Sequence, residues 1–159
     1  MKPATLPELK KELKYRSQDD LIKFCLAMAR FKLESKELLT YLVFESEDEQ
    51  AYIESVKSYM DVSFLEINAI NYYYIKKSVR KILRQVKRYI RYSKKKETEA
   101  ELLIYFCLQL KELRPSYKRN TVLTNMFNKQ KELALKAISK LHEDLQYDFK
   151  LTIDEEFSN

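Results

Sequence analysis

The sequence predicts an all-α fold, and three observations carry that expectation. There is no glycine in 159 residues, prolines stand only at positions 3, 7 and 115, and apolar residues recur at offsets of three and four along most of the chain. Glycine is the residue that supplies positive φ and close backbone approach to a ligand. Its absence excludes the G-x-G-x-x-G dinucleotide turn, the Walker phosphate loop and the G-x-S-x-G nucleophile elbow, and with them the common nucleotide-binding and hydrolase frameworks.

The elements follow in order. Thr5 and Glu8 form a capping box, with Pro7 in the first turn, opening a short helix to about Tyr15. Ser17 with Asp20 opens a second. Over residues 21–33 its apolar side chains go nearly all the way round, which predicts a central, buried helix. Ser35 is read as the cap of a third helix carrying Leu38, Leu39, Leu42 and Val43, and Ser46 with Glu49 as the box opening a fourth with Ala51, Ile53 and Val56. Asn68 or Asn71 is read as the residue that ends this helix, because asparagine tolerates the left-handed cap conformation where glycine is lacking. The fifth helix spans 72–93, with Ile75, Val79, Ile82, Leu83, Val86 and Ile90 in one stripe. Thr98 and Glu101 are read as the box of a sixth, a second central helix ended by Pro115. A long amphipathic helix covers 120–142, and residues 143–159 read as a short acidic tail. About seven helices with short connections predict a single domain over 1–159, either a short α-α superhelix of repeat-like helical pairs or an irregular bundle. Leu21–Leu26 resembles Leu103–Leu108, and Glu37–Tyr41 resembles Glu101–Tyr105, but the offsets of 82 and 64 residues do not belong to one duplication.

Cys25 and Cys107 lie in apolar helical segments and read as buried free thiols of a reducing compartment. The start Met1-Lys2-Pro3, followed by the charged run 8–14, carries no secretory signal, and no apolar stretch is long enough to span a bilayer. The expected location is cytoplasmic.

The strongest local signal is residues 76–96, which hold eleven lysines and arginines and no acid. Set against a net charge of +6, those eleven leave −5 for the other 138 residues, so the positive charge is concentrated. At helical spacing Lys76, Arg80, Arg84, Lys87, Arg88 and Arg91 fall opposite the apolar stripe, with Tyr89 and Tyr92 interleaved. Cations for phosphates and rings for bases make this basic helix a candidate surface for nucleic acid or another polyanion. The plainer reading is a solvated face, or one neutralised within the chain by acids of 45–54 or by Glu143, Asp144, Asp148, Asp154, Glu155 and Glu156. An acidic protein or an anionic membrane surface are further counterparts.

Catalytic signals are thin. His142 is the only histidine, which rules out His-rich zinc sites and paired histidine chemistry, and it reads as a helix-end residue near terminal carbonyls. A carboxylate site built from Glu37, Glu54, Glu66 or Glu101 has no distinctive spacing. The sequence therefore predicts no enzyme, no cofactor, no metal and no catalytic residue.

The run 75–107, from Ile75-Lys-Lys-Ser-Val-Arg-Lys-Ile-Leu-Arg through Leu-Leu-Ile-Tyr-Phe-Cys107, together with Leu9-Lys-Lys-Glu-Leu-Lys14, resembles an uncharacterised bacterial all-helical protein family, a domain of unknown function. That resemblance implies a bacterial cytosolic origin and a helical, repeat-like fold, and it supplies no site residues. The first expectation is thus a non-catalytic helical binding module whose basic helix, 76–96, meets nucleic acid or another polyanion. The alternative is a protein–protein scaffold or homodimeric helical-repeat adaptor, and behind both stands a carboxylate-based enzyme.

Overall fold

A computed structural model describes residues 1–158. The described residues contain no strand and eight α-helices: α1 (Leu6–Leu13), α2 (Gln18–Phe31), α3 (Leu33–Thr40), α4 (Glu49–Leu65), α5 (Tyr72–Ser93), α6 (Lys96–Glu112), α7 (Thr121–Ile138) and α8 (Glu143–Phe157). A π turn covers Tyr41–Glu45 and a 3-10 turn Tyr117–Arg119. The all-α expectation holds, with one helix more than the seven expected. The addition is α8, where the sequence reads as an acidic tail. Leu145, Phe149, Ile153 and Phe157 recur every four residues there, and Phe157 meets Phe127 of α7 edge-to-face at 5.7 Å. Among the described residues, no helix is long and apolar enough to cross a membrane.

The chain divides into two compact units, Met1–Phe44 and Glu45–Asn159. In the first, the Thr5–Glu8 box forms as expected, with the Thr5 amide donating to Glu8 Oε2 at 2.7 Å, and Ser17 accepts from the Asp20 amide at 3.2 Å. Ser35 does not cap α3, because the helix already begins at Leu33 behind Lys32. Helix α2 is not the buried central element that its composition predicts. It packs on α3, yet only Ala29 is buried, while Phe24, Leu26, Met28 and Phe31 remain 41–82% exposed. Cys25 is likewise exposed, contrary to the expectation of two buried thiols.

The second unit is organised around α6, which touches α4, α5 and α7. Eight of its seventeen residues are buried, and Phe106, fully enclosed, meets Phe64 of α4 with ring centroids 5.7 Å apart. Side chains hidden to that degree stabilise by about 1.5–3 kcal/mol each. The resemblance of 21–26 to 103–108 does not extend to environment, since the second segment is core and the first largely open to solvent. Helix α5 runs over the residues expected, Tyr72–Ser93. Asn71 caps it by accepting from the Tyr73 and Tyr74 amides at 3.0 and 3.2 Å, and its stripe from Ile75 to Ile90 is buried. It ends on Lys94 in the left-handed conformation, φ 60°.

Two expected caps are displaced. Asp48, not Ser46, caps α4, accepting from the Ala51 amide at 3.0 Å. Thr98 lies inside the first turn of α6 and donates instead to Glu49 Oε1 at 2.6 Å. The same oxygen accepts from Ser93, and Lys95 Nζ lies 2.9 Å from Oε2. One carboxylate from the first turn of α4 therefore joins the end of α5 to the start of α6.

Candidate functional site

Amphipathic burial of α5 forces its polar residues outward, and the polar residues supplied are almost all cations. Arg80, Arg84, Lys87 and Arg91 are exposed and Lys76 and Arg88 half-buried. Lys77 is also exposed, and with these four it recurs at alternating steps of three and four residues. At 3.6 residues per turn these five fall within an arc of about 80° and run roughly 21 Å along the helix. Tyr73, 66% exposed, continues the same row and meets Tyr74 edge-to-face at 5.3 Å. Lys77 and Tyr73 belong to the row but not to the set singled out from sequence; the three-four step pattern is the signal that finds them.

None of Lys76, Lys77, Arg80, Lys81, Arg84, Lys87 or Arg91 forms an ion pair with a described residue. Of the acids that sequence offers as neutralising partners, Asp48 caps α4, Glu54 pairs with Lys57, and Glu49 holds Ser93 and Thr98 and pairs with Lys95 beyond the end of the row. Helix α5 therefore presents a cationic ridge to solvent.

Two parts of the expected site are corrected. Tyr92 is only 8% exposed and Tyr89 half-buried, and the two rings meet each other edge-to-face at 6.3 Å. Tyr89 also meets Tyr59 at 5.7 Å, so these tyrosines pack helices and do not offer open stacking faces. The basic span also stops short of 96. Lys95 pairs with Glu49 and Lys96 with Glu99 at 2.5 Å, in the elbow and first turn of the next helix. A further basic patch, not foreseen, lies at the other end: Tyr72 donates to the Ser116 carbonyl at 2.9 Å, bringing exposed Lys118 and Arg119 to the α5 N-terminus.

Of the four carboxylates considered for chemistry, Glu54 and Glu101 meet on Lys57, at 2.9 and 2.6 Å. Burial lowers the Lys57 ammonium, but its hydrogen bonds to Glu101 and Glu54 outweigh that and leave it above the ordinary value. The bond to Lys57 holds Glu54 below the usual carboxylate range. Beside them Tyr105 donates to Asp61 at 2.6 Å, as does Gln109 at 2.7 Å, and burial followed by the Asp61 bond pushes the phenol up. The network registers α4 against α6. Glu37 belongs to the first unit and Glu66 to the far end of α4. His142 caps the N-terminus of α8, accepting from the Asp144 amide at 3.3 Å, and does not serve terminal carbonyls. Among the described residues no group of three histidine, cysteine, aspartate or glutamate side chains is placed to hold a metal ion. Comparison with protein-family models, with curated proteins and with solved structures finds no match to this chain.

Proposed function

We propose that the chain is a non-catalytic helical module that binds nucleic acid along the α5 ridge. The observation that carries this reading is the row of five exposed cations, Lys77, Arg80, Arg84, Lys87 and Arg91, without internal counter-charges. Unpaired cations spaced along about 21 Å of one helix suit a polyphosphate backbone, and phosphate contacts release condensed counterions. Five such contacts to a single strand give a slope of log affinity against log salt near −3.5, so that binding weakens roughly a hundredfold between 50 and 200 mM salt. Fluorescence anisotropy with labelled oligonucleotides over a salt series tests it. The triple reversal Arg80→Glu, Arg84→Glu and Arg91→Glu is expected to abolish binding, and binding that ignores salt or survives the reversal removes the proposal.

In architecture, the sequential packing of α4 on α5, α5 on α6, α6 on α7 and α7 on α8 supports stacked helical pairs, while the α4–α6 contact draws the unit toward an irregular bundle. A bacterial, cytoplasmic origin belongs to the same proposal and rests on the sequence resemblance and the two free thiols.

A second reading, a scaffold or homodimeric adaptor, is favoured by the first unit. Leu6, Tyr15, Met28, Phe31, Leu33 and Phe44 are each at least 60% exposed there, more apolar surface than so short a segment ordinarily leaves in water. Light scattering that returns a strictly monomeric mass, with no stoichiometric partner in a pull-down, eliminates it.

A further inference from the structure

Alongside the ridge, between the C-terminal half of α4 and the first half of α5, lies a crevice of about 320 Å³. Tyr59, Ile67 and Ile82 give it apolar walls, and Ser63, Ser78, Glu66 and Lys81 its polar edge. Serine hydroxyls on helices usually turn back to their own backbone. Ser55, Ser58 and Ser139 do so here, donating to carbonyls three or four residues earlier. Ser63 and Ser78, both half-buried, have no such bond and no side-chain partner among the described residues. Two half-buried hydroxyls that line one crevice and are not spent on their own helix are free to bond a ligand.

The charges say which part of a ligand enters. Lys81 stands one turn from both Lys77 and Arg84, so a strand lying along the ridge passes the mouth of the crevice. Glu66, exposed at the α4 C-terminus, repels phosphate and accepts from amines. Apolar walls for a flat ring, hydroxyls for its edge and a carboxylate for an exocyclic amine describe a nucleobase. In a duplex that base edge is occupied by its pairing partner.

Resting on the ridge reading, we infer that the crevice takes an unpaired nucleobase carrying an exocyclic amine, which makes the ligand single-stranded nucleic acid. Cytosine presents that amine to Glu66. Thymine, of similar size, presents one ring N–H flanked by two carbonyl oxygens that the carboxylate repels.

Anisotropy titrations of the full chain with oligo-dC and oligo-dT of equal length, at neutral pH over a salt series, separate the two contributions, because both strands carry the same phosphates. Oligo-dC is expected to bind roughly tenfold tighter, the scale of one hydrogen bond to a charged acceptor. Glu66→Ala should bring the ratio close to one and leave the salt slope unchanged. Ser63→Ala with Ser78→Ala should weaken oligo-dC binding, again at constant slope. Equal affinity for the two strands with a steep salt slope overturns the crevice and leaves the ridge standing, as does a preference for oligo-dC that survives Glu66→Ala. Failure of both strands to bind overturns the ridge as well.

Discussion

Thr98→Val isolates the junction where three helices meet. Valine keeps the volume and branching of threonine, so the fully enclosed site remains filled, and the change removes only the hydroxyl that donates to Glu49 at 2.6 Å. The Glu49 side chain is 17% exposed, so water recovers little of the lost bond, and Lys95, half open to solvent, contributes little as an ion pair. A hydrogen bond to a charged acceptor is worth about 1.5–3 kcal/mol, and the expected loss of stability is about 2 kcal/mol. In a chain of this length that lowers the melting temperature by roughly 4–8 °C. Urea denaturation followed by circular dichroism measures it as a fall in midpoint at unchanged slope. Thr98→Ser, which keeps the hydroxyl and loses a methyl, should cost about 1 kcal/mol. A Thr98→Val loss below that of Thr98→Ser would show that the junction is held by packing, and the assignment of Glu49 as its organiser would fall.

Other perturbations follow from the same coordinates. Phe106→Ala empties the centre of α6 and should cost about 3–5 kcal/mol by denaturation, against near zero for Leu135→Ala on the exposed side of α7. Burial pushes the Cys107 thiol up to about 12, whereas Cys25 is exposed; a maleimide should therefore modify one thiol in the folded chain and two in denaturant, read by mass spectrometry. Tyr105 and Lys57 both titrate above their ordinary values, so the folded chain holds these protons where the unfolded chain releases them. Their stabilisation is complete below the ordinary tyrosine value of 10.0 and is lost as pH rises above it. The chain should accordingly weaken toward alkaline pH, and Tyr105→Phe should flatten that decline in denaturation midpoints.

Where local pattern and tertiary demand agree, the sequence is readable. Helix α5 is legible because six apolar residues fix its buried face with no competing claim. Asn71, expected to end the preceding helix in the left-handed conformation, is instead extended and caps the start of this one, while α4 stops at Leu65. Thr98 and Ser35 show the other case. Thr98 begins a Thr-x-x-Glu pattern, but a hydroxyl can serve a distant carboxylate as readily as a backbone amide, and no local rule reveals that Glu49 lies within reach. Ser35 falls inside a helix that has already begun at Leu33. Helix α8 escapes because its acids dominate the composition while four apolar residues carry the packing. The ridge is likewise visible in one dimension, as a run of like charge. The crevice is not, since Ser63 and Glu66 come from one helix and Ser78 and Lys81 from another, and only folding brings them to a common opening.

Lys94 gives the ridge a mechanical property. The left-handed region open to a residue with a Cβ is narrow, whereas glycine roams it widely. A chain that places lysine there at φ 60° holds the α5–α6 elbow with little play. The row of cations is then borne on an arm with a stiff elbow, and Lys94→Gly would loosen that elbow without touching a single charge on the row.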